Sequence, residues 1–479
     1  MKVLIVSSEA VPYCKTGGLA DVVGTLLREL NAAGIDAWLF LPFYSKVINK
    51  TGIEDTGLRY AETIKGKVFE GALLRHRKTY FVDAGYLFDR DGIYGDDSGD
   101  YHDNHLRYSF FCRAVIYFLK ALNFRPDLIH LNDWQTALIP LYLRDRGLDD
   151  AFYRGIATVL TIHNLGYQGV FPAETIITLG IDKSLFNPEG IEYYGNVNFL
   201  KAGILFADFI TTVSRKYADE ITTAEYGFGL DGVLKKRKGA VFGILNGIDS
   251  STWSPEHDRF ILRNYSVDDL KGRAYCRFRL IRECKVEVRG GYPVFSFIGR
   301  IASQKGVDLI LKILPWMMDR GLSLIVLGTG EAELEKGLKK FSSDYPGRIY
   351  IKNNFSEPFA HALYAGSDIV LMPSRYEPCG LVQMIALRYG AIPVARNTGG
   401  ISDTVEDYDV FDDTGTGFLF DDCSASSLLE SLKRAVTVYV MRKRWRSIMK
   451  RGMKRDFSWK HSLSEYIDLY RRAIKGEVR

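Results

Sequence analysis

Apolar residues along this chain follow two alternating rhythms. Short apolar runs bounded by turn residues occur at Val3–Val6, Ala37–Leu41, Leu128–His130, Ala157–Thr161 and Phe209–Val213. They read as parallel strands buried on both faces. Between them the spacing turns helical, first at Leu19, Val22, Val23, Leu26, Leu27 and Leu30, then over Leu106–Leu122 and Thr136–Leu143. The repeated strand-then-helix order predicts a doubly wound α/β sheet. A second series starts near Ala240, with strands expected at Val241–Leu245, Val294–Ile298, Leu322–Leu327, Ile349–Ile351, Ile369–Met372 and Ile392–Ala395. Helices are expected between them at Val307–Met317 and Leu381–Tyr389. A last helix, Lys460–Lys475, carries Leu463, Tyr466, Ile467, Tyr470 and Ala473 on one face; no sheet follows it, so it must pack on a domain already formed. The two series predict two Rossmann-like domains, with ligands at the carboxyl ends of the strands.

A length of 479 residues fits two or three domains. The hydrophobic share of 47% and charged share of 25% are those of a folded globular protein. A net charge of +5, from 63 basic and 58 acidic residues, is too small to support bulk nucleic-acid binding. Aromatic residues at 13% could supply stacking surfaces for a carbohydrate, although most are expected in the core. The six cysteines form no C-x-x-C pair, which fits a reduced, intracellular protein without a zinc ribbon. Val3–Val6, four apolar residues before Ser7-Ser8-Glu9, does not read as a signal peptide, and no apolar run approaches membrane-spanning length.

Chemistry gathers just after the strands. Lys15-Thr16-Gly17-Gly18 follows the first strand and opens a helix: a cation, two small residues and free helix N–H groups that suit a phosphate. It matches neither common phosphate-loop motif. Asp133 follows Leu128–His130, where it can be a site residue or the N-cap of a helix starting near Gln135. His163-Asn164 follows Ala157–Thr161 in a glycine-flanked polar loop, read equally well as structure or as site. Arg300 and Lys305 lie on one glycine-bounded loop after Val294–Ile298, a fork and a point charge suited to a diphosphate, or else two solvated cations. After Ile369–Met372 come Glu377, a carboxylate for sugar hydroxyls or developing positive charge, and Gly380-Leu381, whose amides start a helix. Cys379 between them is read as a small packing residue rather than a reactive thiol. Thr398-Gly399-Gly400 and Gly328-Thr329-Gly330-Glu331 are further glycine turns after strands, each weak as a signal alone. The acidic stretch Asp89–Asp103 has its glycines at the wrong offsets for a calcium loop, and no metal site is read anywhere.

Taken together, these segments resemble the bacterial glycogen synthases and plant starch synthases. The markers are Lys15 to Val22, Thr161 to Asn164 with Tyr167-Gln168-Gly169, Asn246-Gly247-Ile248-Asp249, Gly299-Arg300 with Gln304-Lys305-Gly306, Ser374 to Leu381, and Thr398-Gly399-Gly400 before Asp403-Thr404-Val405. They span nearly the whole chain. The resemblance implies a GT-B fold, two doubly wound Rossmann-like domains facing a central cleft. Residues 1–243 form the glucan-acceptor side, completed by the C-terminal helix of 458–479, and residues 244–457 form the nucleotide-sugar donor side. It implies a retaining glycosyltransferase that moves glucose from ADP-glucose to the non-reducing 4-hydroxyl of an α-1,4-glucan such as glycogen. No cofactor or metal is required, because positive residues take the metal's part.

By the same resemblance, Arg300 and Lys305 receive the diphosphate, with Glu377 at the glucose and Asp133 and His163 on the acceptor and reacting-sugar side. Lys15, Gly17, Gly18, Tyr94, Asn164, Asn246, Cys379, Gly380 and Leu381 contact substrate. The implied setting is cytoplasmic, with neither nucleic acid nor membrane as partner. The short N-terminus favours a bacterial enzyme over a plastid-imported one. Gln135 stands where the family often has His, which weakens a proton-transfer role there, and Gly400-Ile401-Ser402 replaces a commoner Gly-Leu-Ala. The alternatives are the same reaction with UDP-glucose, a different acceptor, or a glucan-binding scaffold without turnover.

Overall fold

Strands buried on both faces need apolar side chains at every position, and the central strands have them. Val3, Leu4, Ile5 and Val6 are fully buried, as are Ile369 and Val370. The computed structural model describes the chain except residues 48–50, 97–98, 355 and 478–479, and the side chains of 146–148. Two of these, 97 and 98, fall within the acidic stretch Asp89–Asp103. The described residues divide into two compact units, Met1–Asn246 with Trp459–Arg479, and Gly247–Ser458.

The first unit holds a nine-stranded sheet. Its strands are Lys2–Val6 (β1), Asp36–Pro42 (β2), Glu54–Ile64 (β3), Lys67–His76 (β4), Thr79–Asp83 (β5), Leu128–Asn132 (β6), Ala157–Ile162 (β7), Phe209–Thr212 (β8) and Val241–Gly243 (β9). They lie in the order β9-β8-β7-β6-β1-β2-β5-β4-β3. All neighbours are parallel except β3–β4 and β4–β5. Two features depart from the sequence reading. The pair β3–β4 is absent from it, because only one side of those strands is buried and their exposed positions carry charge. Val241–Gly243 is the edge of the first sheet and pairs with β8 from Ile210↔Val241 to Thr212↔Gly243; it does not begin a second sheet.

The second unit has a six-stranded sheet of Val294–Ile298 (β10), Ser323–Leu327 (β11), Ile349–Lys352 (β12), Ile369–Met372 (β13), Ile392–Arg396 (β14) and Phe418–Phe420 (β15). The order is β12-β11-β10-β13-β14-β15 and every pairing is parallel. Chain order reverses beside β1 in the first sheet and beside β10 in the second. At such a point the connections leave in opposite directions and a crevice opens at the strands' carboxyl ends. The neighbours that flank the two crevices are β1 with β6 and β10 with β13.

The last helix, Trp459–Ile474, buries Trp459, Tyr466, Leu469, Tyr470 and Ala473 against the first unit. A buried polar chain ties it there. Tyr470 Oη lies 2.6 Å from His130 Nδ1, and His130 Nε2 lies 2.6 Å from Thr161 Oγ1, which meets Thr211 in turn. Burial, with a smaller push from His163, moves the His130 imidazole down to about 3 from the usual 6.5.

In the second unit, glycine turns let loops close on one another. Gly400 N donates to Glu377 O at 3.0 Å, and a Cβ on Gly400 would sit 1.9 Å from Cys379 O. At Gly306, φ is +70° and a Cβ would fall 2.0 Å from Pro373 O.

Below pH 6.5 an unfolded histidine takes a proton that folded His130 refuses until about pH 3. Stability is therefore lost as pH falls through that window, by about 1.4 kcal/mol per pH unit at the steepest. His130→Gln should flatten the dependence of unfolding free energy on pH by about one proton relative to the parent; equal slopes would refute a neutral buried His130. Gly400→Ala should lower Tm by several degrees, a cost of about 1–3 kcal/mol. Gly17→Ala, with nothing within 4 Å of its Cβ position, should stay within about 0.5 kcal/mol of the parent.

Candidate active site

At the β1–β6 crevice the chain leaves β1 through Ser7-Ser8-Glu9 and reaches Lys15 to Gly18, where the helix Gly18–Ala32 begins. Glu9 organises this loop. Its side chain is buried and accepts from Thr16 N, from Thr16 Oγ1 at 2.8 Å, from Gly17 N at 3.3 Å and from Tyr94 Oη at 2.9 Å. Tyr94 Oη also meets Ser8 Oγ at 2.7 Å. The Gly17 amide, expected to face a ligand, is thus already taken by a carboxylate. Lys15 reaches outward and pairs with Asp21 at 2.8 Å, both side chains well exposed. Glu9 is not among the residues that the motifs single out, yet it follows a strand just as Asp133 does.

Across the crevice, Asp133 does not cap a helix. The next helix starts later, at Ile139, and Thr136 Oγ1 takes the capping-type bond from Asn132 N at 2.8 Å. Asp133 has φ of +57°, a conformation that Asp tolerates better than most residues, and its carboxylate turns to β7. There Oδ1 accepts from His163 N at 2.7 Å, while Asp133 N donates to Thr161 O at 2.9 Å. Burial lifts the Asp133 carboxyl to about 7, against the pull of the His163 and Asn164 amides and with a smaller push from Glu9. The His163 ring is lowered by burial to about 3, and its Nε2 lies 2.9 Å from Asn132 Oδ1. Asn164 Oδ1 accepts from Gly166 N at 2.9 Å and shapes the loop that continues to Gly169.

That loop borders a pocket of about 900 Å³ within the first unit. Tyr101, Trp134, Tyr167, Phe171, Tyr193 and Phe228 line it, with His102, His105, Lys65, Asp100 and Glu174 among the polar groups. Its walls are fixed: Tyr193 Oη donates to Phe228 O at 2.7 Å, and Gln168 Nε2 donates to the same oxygen at 3.0 Å. Aromatic faces with scattered polar groups suit a hydroxyl-rich ligand.

At the β10–β13 crevice, Lys305 and Glu377 form an ion pair. Lys305 Nζ lies 2.8 and 2.6 Å from the two carboxylate oxygens, and Ser374 Oγ donates to one of them at 2.9 Å. The Glu377 side chain is 7% exposed and the Lys305 side chain 22%. Arg300 donates to Gln304 Oε1 at 2.8 Å. The glycine turn before Glu331 has a supporting part: the Glu331 carboxylate accepts from Ser303 N and Oγ, both at 2.9 Å, which holds the Arg300–Lys305 loop. Arg375 clamps the same loop, its backbone N–H donating to Gln304 O at 2.8 Å and its guanidinium to Ser303 O, and it makes a two-point bond to Asp308 of the following helix at 2.7 and 2.8 Å. Behind Glu377, Cys379 is buried and Gly380 has φ of +69°. Gln383 Nε2 holds Cys379 O at 2.8 Å and Thr404 Oγ1 at 3.1 Å. Leu381 is the cap residue of the helix Val382–Arg388.

The structure therefore gathers the sequence-predicted residues into groups. Asp133, His163 and Asn164 meet directly. Lys15, Gly17 and Tyr94 meet through or beside Glu9, with Gly18 opening the helix. Lys305 and Glu377 meet directly, with Arg300, Cys379, Gly380 and Leu381 on the adjoining loops. Asn246 joins none of these groups; it is buried with its Oδ1 unpartnered. Among the described residues no cluster of three or more His, Cys, Asp or Glu is arranged to hold a metal, and no helix is long and apolar enough to cross a membrane.

The family described as "Starch synthase catalytic domain" matches residues 2–236, and "Glycosyl transferases group 1" matches residues 283–451. A glycogen synthase 2 of Geobacter sulfurreducens is 45% identical over 478 residues, covering 99% of both chains. A glycogen synthase of Syntrophotalea carbinolica is 42% identical, again over 99% of both. The catalytic domain of starch synthase IV from Arabidopsis thaliana, solved bound to ADP and acarbose, superposes with a TM-score of 0.90 at 30% identity over 99% of both chains. With these matches running the length of the chain, it belongs to the glycogen synthase and starch synthase family, glycosyltransferases of the GT-B fold.

Proposed function

We propose that the protein is a cytoplasmic glycogen synthase. It transfers glucose from ADP-glucose to the non-reducing 4-hydroxyl of an α-1,4-glucan, retaining the anomeric configuration and using no metal or cofactor. The observation that carries this is the partly buried Lys305–Glu377 pair at the second unit's crevice. Opposite charges held this close match a reaction in which opposite charges separate. The anomeric carbon turns positive as the bond to the diphosphate breaks, and the departing diphosphate takes the electron pair.

In this reading Lys305 and Arg300 hold the diphosphate, aided by the Gly380 and Leu381 amides. Glu377 stabilises the oxocarbenium-like sugar. Lys15 is a further cation for the donor, while Glu9 and Tyr94 shape the loop that presents it. Asp133, lifted by burial to about 7, has both its acid and its carboxylate form within reach near neutral pH, so it can give or take a proton at a sugar hydroxyl. His163 and Asn164 stand beside it, and Cys379 supports the Glu377 loop from a buried position. The aromatic pocket next to this group suits the glucan chain, whose flat sugar faces stack on rings. The names of the relatives and the ADP bound to the starch synthase neighbour support the same donor and acceptor. All six cysteines are free, which fits the reducing cytoplasm.

With a glycogen primer, ADP should be released from ADP-glucose much faster than UDP from UDP-glucose, and neither nucleotide should be released without primer. Faster turnover of UDP-glucose would reassign the donor. Lys305→Ala and Glu377→Ala should each lower kcat by about 10²-fold or more. Parent-like turnover in both would overturn the site.

A further inference from the structure

We propose that Asn132 is a positioning residue that holds the proton of His163 on Nε2, so that Nδ1 meets a substrate hydroxyl as an acceptor.

An amide side chain donates only from its nitrogen and accepts only at its oxygen. Asn132 ends β6 and is buried. Its Nδ2 donates to Val6 O, at the end of neighbouring β1, at 3.0 Å. A carbonyl only accepts, so the amide nitrogen must be on that side. This directs Oδ1 to His163 Nε2, 2.9 Å away. An amide oxygen also only accepts, so Nε2 must carry the hydrogen. The rest of Asn132 has little freedom, since its own N–H is bound to Thr136 Oγ1 at 2.8 Å. The His163 backbone is held as well, through its N–H to Asp133 Oδ1 at 2.7 Å.

Burial keeps the ring uncharged at neutral pH. A neutral imidazole with its proton on Nε2 has a lone pair on Nδ1. Among the described residues Nδ1 makes no hydrogen bond, and the side chain is partly exposed. The titratable groups near the ring are Asp133, on its backbone amide, and His130, which it influences electrically; Glu9 lies beyond Asp133 and acts on it. None of these bonds to either ring nitrogen. Asn132 alone therefore sets the tautomer.

The choice of amide over acid has a chemical meaning. An aspartate at 132 would accept the same Nε2–H bond, but its charge would favour the imidazolium, which donates from both nitrogens. Asparagine orients the ring without charging it. An acceptor nitrogen fixes a sugar hydroxyl by its hydrogen and excludes a role for His163 as acid. That the hydroxyl belongs to a sugar rests on the glycogen synthase reading; the tautomer does not.

The test is long-range ¹H–¹⁵N NMR of the full-length protein labelled at histidine, with the His163 signals assigned by His163→Gln. Between about pH 5.5 and 8, His163 should show a protonated Nε2 and an unprotonated Nδ1. Asn132→Asp should show a doubly protonated ring at the acid end, together with a new ionisation on the acid limb of kcat/KM for transfer to a maltooligosaccharide. Asn132→Ala should mix the tautomers and lower kcat/KM at least about tenfold. A wild-type His163 protonated on Nδ1 would overturn the proposal, and so would a folded Asn132→Asp enzyme with the wild-type pH profile. If the protein transfers no sugar from any nucleotide donor, the functional reading fails, while the NMR spectrum still decides the tautomer.

Discussion

A parallel strand must be followed by a crossover, and neighbouring strands whose crossovers depart in opposite directions leave the gap between them uncovered. Everything notable in this protein is arranged around that constraint. In the first unit the gap lies between β1 and β6, and in the second between β10 and β13. The loops after those four strands carry Glu9 and Lys15, Asp133, Arg300 and Lys305, and Glu377. Residues distant in the chain meet there: Lys305 and Glu377 are 72 positions apart, and Asp133 and His163 are 30.

An open gap would be of little use if its loops were loose. Both crevices are braced from behind by groups that make no claim to chemistry themselves. In the second unit Glu331, Arg375 and Gln383 tie the two loops and the following glycine turn into one body, and Gly400 sits against the backbone of Glu377 and Cys379. In the first unit Asn132 and Thr136 fasten the end of β6, while His130 joins the sheet to the last helix. These braces are short polar bonds, several of them to backbone carbonyls and amides, which have direction as well as strength. They let the charged groups keep their places without a covering of apolar packing.

Much of the central architecture can be read from the chain because a strand buried on both faces is apolar at every position. Val3–Val6 and Ile369–Met372 announce themselves in that way. Strands β3 and β4 do not, since each is half wetted and carries Glu54, Asp55, Arg59, Glu62, Lys67, Glu70 and Arg75 among its residues. Val241–Gly243 has the composition of a strand, but no local signal says which sheet takes it. At the site, motif residues such as Lys305 and Glu377 are visible as single letters, whereas their pairing is not, because it depends on the order of strands. Asp133 shows the same limit more sharply. An aspartate ahead of a helix caps that helix in many proteins, and only its positive φ and the nearness of His163 N reveal that it serves the adjacent strand instead. Glu9, in a stretch of serines, is legible only once Thr16 and Gly17 are seen to turn back onto it.

The position of Glu9 changes what the start of the first helix can do. Nucleotide-binding folds commonly leave the amides at this place open, so that a phosphate can seat itself on them. Here a carboxylate from the protein's own backbone turn is already seated across the Thr16 and Gly17 amides. The chain carries an internal surrogate for the anion. The helix start is thereby electrically satisfied before any ligand arrives, and a phosphate approaching it would meet a like charge rather than a vacant cradle. What reaches outward at this corner is the Lys15 ammonium, with its partner Asp21 likewise exposed and the pair screened by water.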